Sequence, residues 1–141
     1  MPFVVVEKDP QLVERLARGD FLYVEGDATD DEALQAAGIE RAKGLIAAVT
    51  SDTDNVYITL TARGLNPKLF ILARANEEGS EKKLMRAGAS KVISPYTIGA
   101  SRMAQAILRP SVVDFIEIAT ASENLELQIE EVSIHPSSEV A

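Results

Sequence analysis

The chain has 141 residues, 46% apolar and 26% charged, with a formal net charge of -8 and no cysteine. One domain of this size buries roughly 70% of its unfolded surface, which is enough for a real core. The missing cysteine excludes disulfides, thiolate metal sites and cysteine nucleophiles, the negative charge argues against nucleic acid as a partner, and no apolar run reaches the roughly 20 residues of a membrane span.

Phe3–Val6 is β-branched and reads as a buried strand. Asp9-Pro10 opens a helix, with Asp9 as N-cap and Pro10 at its first position. Leu12, Val13, Leu16 and Ala17 form its apolar face, and Gly19 ends it. Phe21–Val24 is the second strand. After the turn Gly26-Asp27-Ala28, Thr29 to Glu32 has capping-box spacing for a helix that stops at Gly38. Gly44–Val49 is the third strand, apolar throughout, as expected of a parallel strand covered on both faces.

Thr50 to Asp54 then caps a helix from Asn55 to about Arg63. Leu69–Ala73 is the fourth strand, Glu81–Arg86 a short helix and Lys91–Ser94 a fifth strand that Pro95 breaks. Thr97–Leu108 and Val112–Ala119 are apolar helices. From Leu125 to Glu130 apolar and polar residues alternate, the period of a half-exposed strand. Strands alternating with helices across short loops predict βαβ units and a parallel sheet.

In an open parallel sheet, ligands bind at the carboxyl ends of the strands, so the residues just after each strand are the candidates. Glu7 follows the first strand, where a carboxylate accepts hydrogen bonds from vicinal ribose hydroxyls; the alternative is a solvated strand end. Gly26-Asp27-Ala28 follows the second, a small-residue turn that lets backbone approach a flat base or merely prepares the next helix. Thr50 and Ser51 follow the third at a helix N-terminus, which favours an anion or simply caps the helix. Arg74 follows the fourth, where its guanidinium suits a phosphate or pairs with Glu77 or Glu78.

No two glycines are spaced as GxG, so neither a GxGxxG loop nor a Walker loop is present. The single histidine, His135, lies near the end of the chain. Without Cys, a central His or a carboxylate couple, no triad or zinc site can be assembled.

The stretches VVVEKDP (4–10), EGDATDDEALQAAGIERAKGLIAAVTSDTDN (25–55), ILARAN (71–76) and LMRAGASKVISPYTIGASRMAQAIL (84–108) together resemble the regulator of potassium conductance (RCK) domain, also called the Trk-type (TrkA-N) nucleotide-binding domain. The resemblance runs in order over about residues 3–120, and AGAxxVISPxxIGA is its most specific part. It implies a Rossmann-like parallel sheet with helices on both faces, truncated at the N-terminus and ending in crossover helices. Residues 1–120 would be an incomplete N-terminal subdomain, and 121–141 a linker and the start of a C-terminal subdomain. In the family, a strand and the GxGxxG loop precede the VVVE strand on which this chain begins, so the central strand of the sheet would be missing.

The resemblance further implies NAD(H), ADP or ATP at the strand edge. Glu7 would hold the ribose, Asp27 and Ala28 would meet the adenine, Thr50 would sit near the ribose-phosphate and Arg74 would reach phosphate. No metal site is expected, because Ala48, Arg74 and Asn76 stand where some relatives place calcium-binding carboxylates. Pairing into a homodimer or higher ring would run through the helices at 97–119. The implied function is a cytoplasmic, non-enzymatic gating domain that acts on a membrane potassium channel or uptake transporter. The alternatives are a fragment of an NAD(P)-dependent oxidoreductase, and a dimerisation module with a vestigial nucleotide site.

Overall fold

The computed structural model describes residues 2–109. The helix expected at 112–119, the strand from 125, His135 and the boundary after residue 120 lie outside the described residues. The chain divides after Ile98. The unit before that point carries five strands: β1 (Val5–Glu7), β2 (Tyr23–Glu25), β3 (Gly44–Ala47), β4 (Phe70–Arg74) and β5 (Lys91–Ile93). Between them run α1 (Pro10–Arg18), α2 (Asp31–Ala36), α3 (Asp52–Leu65) and α4 (Ser80–Arg86); α5 (Pro95–Leu108) follows β5 and extends past the division.

All pairings are parallel. β1 pairs with β2 in the register Val5 to Tyr23 and Glu7 to Glu25. β3, β4 and β5 form a second sheet in that order, with Ile46 opposite Leu72 and Arg74 opposite Ile93. Among the described residues the two sheets are not hydrogen-bonded to one another. The architecture is Rossmann-like, with helices on both sides.

Local chemistry explains most boundaries. The Asp9 carboxylate accepts the Gln11 amide at 2.9 Å, and Pro10 lacks the donor that a first helical position would waste, so α1 begins as expected. At its other end the Gly19 amide donates to Arg15 and Leu16 carbonyls. Ser51 caps α3 by accepting the Asp54 amide at 3.2 Å, and the helix starts at Asp52, three residues earlier than the apolar pattern indicated.

α2 departs from expectation. Asp30, not Thr29, is its N-cap, and no side chain caps it. With the N-cap one residue later than the pattern requires, the capping box does not form, and the Thr29 hydroxyl donates to Asp27, 2.7 Å away.

The core lies between the second sheet and helices α2 to α4. One cluster joins Ala47, Ala73, Ala75 and Ala89 to Ile58 and Leu84. The other joins Leu34, Ile39, Ala62, Leu69 and Ile71. Burial alternates along β4, where Ile71 and Ala73 are buried and Phe70 is exposed. The same alternation overturns the expectation for β3. Ala47 is buried, but Ile46 on the opposite face is 70% exposed, so this strand is covered on one face only. Its continuous apolar run therefore carries no two-sided burial.

Arg63 closes the far side of this core. Its guanidinium donates to the Gly88 carbonyl at 2.8 and 3.1 Å and to the Pro67 carbonyl at 2.8 Å. Gly88 holds φ at +105°, and a Cβ there would stand 2.9 Å from the Arg63 Cγ. Only glycine satisfies both the backbone and the contact.

Candidate functional site

Every candidate lies where its strand ends or within a few residues after it. Glu7 closes β1, Asp27 and Ala28 follow β2, Thr50 follows β3, and Arg74 closes β4. With parallel strands these positions gather at carboxyl ends, where a doubly wound sheet presents ligand sites. The structure divides them into two linked pairs.

The first pair is Glu7 and Asp27. The Glu7 carboxylate turns back on its own loop and accepts the amides of Lys8 and Asp9 through Oε1, both at 2.9 Å. Its other oxygen forms no protein hydrogen bond among the described residues, which leaves it for a hydroxyl donor. Lys8 reaches across to Asp27, with Nζ 2.7 Å from Oδ2. Asp27 also accepts the Thr29 amide at 2.9 Å and hydroxyl at 2.7 Å through Oδ1. The Lys8 ammonium, then the two Thr29 donors, hold its carboxyl down to about 2. The Lys8 ammonium is correspondingly raised, first by the Asp27 hydrogen bond and charge and, more weakly, by Asp54 of α3. Ala28 is half-buried and packs against both core clusters, so its methyl supports the turn from beneath.

The second pair is Thr50 and Arg74. Asn76 joins them: its Nδ2 donates to the Thr50 carbonyl at 2.7 Å, and its Oδ1 accepts Arg74 Nε at 2.9 Å. Arg74 forms no ion pair with Glu77 or Glu78 among the described residues. Asp52 anchors the assembly by accepting the Asn76 amide at 2.9 and 3.1 Å and the Glu77 amide at 2.9 Å. Burial alone would push its carboxyl up, but the donors from Glu77, Ser80 and Asn76 outweigh that and hold it below the usual carboxylate range.

Asn55 does the same work one layer deeper. It is fully buried, exchanges hydrogen bonds with both backbone groups of Val49 at 3.0 Å, and donates to the Arg74 carbonyl at 3.1 Å. The ends of β3 and β4 are thus fixed by side-chain amides where the sheet ladder stops.

Sequence reasoning missed Lys8, Asp52, Asn55 and Asn76 as parts of this edge. Asn76 and Asp52 sit within two residues of Arg74 and Thr50, a proximity that was legible. The 24-residue reach between them was not. Among the described residues, no group of three or more His, Asp or Glu side chains is placed to hold a metal ion.

The fold puts the chain in the Rossmann-like class of α/β domains. The chain belongs to the TrkA-N domain family, whose model matches residues 1–95. A probable potassium channel protein (number 2) of Methanocaldococcus jannaschii is 42% identical over 148 residues, covering 100% of this chain and 43% of that protein. The chain therefore spans less than half the length of this relative. The TrkA-N domain of the inner membrane protein ybaL from Escherichia coli superposes with a TM-score of 0.71 at 30% identity, covering 74% of this chain and 78% of that one. The GsuK channel bound to NAD matches with a TM-score of 0.61 at 26% identity, covering 80% of this chain and 24% of that one.

Proposed function

We propose that this chain is a nucleotide-binding regulatory domain that gates a potassium channel or potassium-uptake transporter from the cytoplasmic side. The observation that carries this reading is that Glu7, Asp27, Thr50 and Arg74 each stand at or shortly after the carboxyl end of a parallel strand in a TrkA-N domain. The ligand is an adenine nucleotide, NAD(H), ADP or ATP. Glu7 takes the ribose hydroxyls with its unengaged oxygen, and the turn at Asp27 and Ala28 meets the base. Thr50 lies by the ribose-phosphate, and Arg74 offers its guanidinium to phosphate. The relatives named for potassium channels and the NAD-bound GsuK channel support the assignment.

The chain acts by binding rather than by turnover. The edge holds carboxylates and a guanidinium already committed to hydrogen bonds, an arrangement suited to orienting a ligand. Pairing through α5 gives binding something to move. This helix exposes Ile98, Met103, Ile107 and Leu108, and a nucleotide that prefers one pair geometry shifts the population toward it.

Thermal unfolding with NAD, NADH, ADP and ATP tests the reading. A ligand that binds only the folded chain stabilises it by about 2.7 kcal/mol at ~100 times its dissociation constant. The expected result is a raised midpoint that disappears in Glu7→Ala and Arg74→Ala. No shift with any of the four would leave the chain a pairing module without a sensor.

A further inference from the structure

We propose that Asn76 is the positioning residue of the phosphate subsite: its amide aims the Arg74 guanidinium and locks it to the turn that carries Thr50. The inference rests on the nucleotide-binding reading above and names the part of the site that discriminates phosphate.

The geometry fixes which way the Asn76 amide faces. Its Nδ2 lies between two acceptors, the Thr50 carbonyl at 2.7 Å and Asp52 Oδ1 at 2.9 Å. Its Oδ1 faces a donor, Arg74 Nε at 2.9 Å. A flipped amide would set oxygen against oxygen twice and N–H against N–H once, so the orientation is dictated by the network. Holding Nε leaves the two terminal nitrogens of Arg74 pointing away from the tether. Neither meets an acceptor among the described residues. A guanidinium gripped at Nε and open at its terminal nitrogens is set for a bidentate grip on a phosphate group.

The grip on Asn76 is itself rigid. Asp52 takes both its backbone amide and its side-chain amide, and Asp52 belongs to the first turn of α3. The Arg74 carbonyl is tied to buried Asn55 on the same helix. The arginine is therefore oriented at both its backbone and its side chain, and α3 is the reference for each. An arginine without this tether would spread over many rotamers and lose the entropy of ordering at each binding event.

A structural staple alone would change stability without changing which ligand is preferred. Calorimetric titration of the 141-residue chain with ADP and with adenosine separates the two roles. Adenosine keeps the base and ribose and lacks the phosphates. Asn76→Ala is expected to weaken ADP about tenfold and to leave adenosine unchanged. Arg74→Ala is expected to remove the preference for ADP. The double variant should then bind ADP no more weakly than Arg74→Ala, since the tether has nothing left to aim.

Where Asn76→Ala does not fold, Arg74→Lys supplies the test, because lysine keeps the charge and has no Nε to be held. It should lose most of the ADP preference. An undiminished ratio of ADP to adenosine affinity in Asn76→Ala, or in Arg74→Lys, overturns the positioning role while nucleotide binding stands. Additive losses in the double variant do the same. Wild-type chain that binds ADP no better than adenosine overturns the phosphate role of Arg74 and the inference with it.

Discussion

Asn55 shows how much one side chain decides at the ligand edge. Its amide satisfies both backbone groups of Val49 and the carbonyl of Arg74, three polar groups that have run past the end of the ladder. Asn55→Ala leaves them without that partner in a part-buried position, where a lost partner costs on the order of 1–3 kcal/mol when water does not replace it. The expected loss is about 2–3 kcal/mol in urea unfolding, with nucleotide affinity falling as the two strand ends loosen. Asp27 supplies a second residue-level expectation. Its folded value lies near 2, below the ordinary carboxyl value of 3.8, so protons bind the unfolded chain more readily. The stability it contributes is complete above about pH 5 and disappears as pH falls through about 2. Unfolding measured at pH 7, 4 and 2.5 should show wild type more stable than Asp27→Asn at pH 7, with the difference closing in acid. Glu7, Thr50 and Arg74 were legible as edge residues because each directly follows an apolar run, and Asp27 because it sits in the small-residue turn after one. Their partners were not, since nothing in a linear pattern announces that an amide at 76 will meet a carbonyl at 50.

The elements themselves followed local rules where those rules stood alone. α1 starts and stops where Asp9, Pro10 and Gly19 direct, and Gly38 adopts the left-handed φ of +81° expected of a stop. The rule failed at α2 because Thr29 is drawn into the preceding turn and the helix begins one residue later, after Asp30. The ionised Asp27 two residues earlier accepts both the amide and the hydroxyl of Thr29, which holds Thr29 in that turn and outside the helix. The rule also failed at β3, whose apolar run suits a two-sided strand although only one face is packed. Paired substitutions measure that asymmetry. Ile71→Ala removes a fully buried side chain of the second core cluster and should cost about 2–5 kcal/mol. Ile46→Ser, on the open face of the neighbouring strand, should stay within about 0.5 kcal/mol in equilibrium unfolding of the chain. A large loss at Ile46 would mean that the face is covered in solution.

The two sheets take their order from pairings that span whole helices, and helix α5 carries exposed apolar side chains. Met103 is exposed and Ile107 is 83% exposed. If α5 pairs two chains, Met103→Glu with Ile107→Glu should abolish the dependence of sedimentation on protein concentration while the nucleotide-induced rise in melting midpoint survives. Loss of both together would tie the site to the pair. The sequence by itself determined the alternation of strands and helices, the parallel class, and which residues stand at the carboxyl ends of the strands. Those features rest on periodicity, caps and glycines, which act over a few residues. Tertiary structure decided which face of β3 is packed, which hydroxyl caps and which does not, and that the Asn76 holding Arg74 Nε is itself held by Asp52, on a helix more than twenty residues upstream. These outcomes depend on which donors and acceptors meet when distant segments close together, and hydrogen-bond geometry exists only once they have.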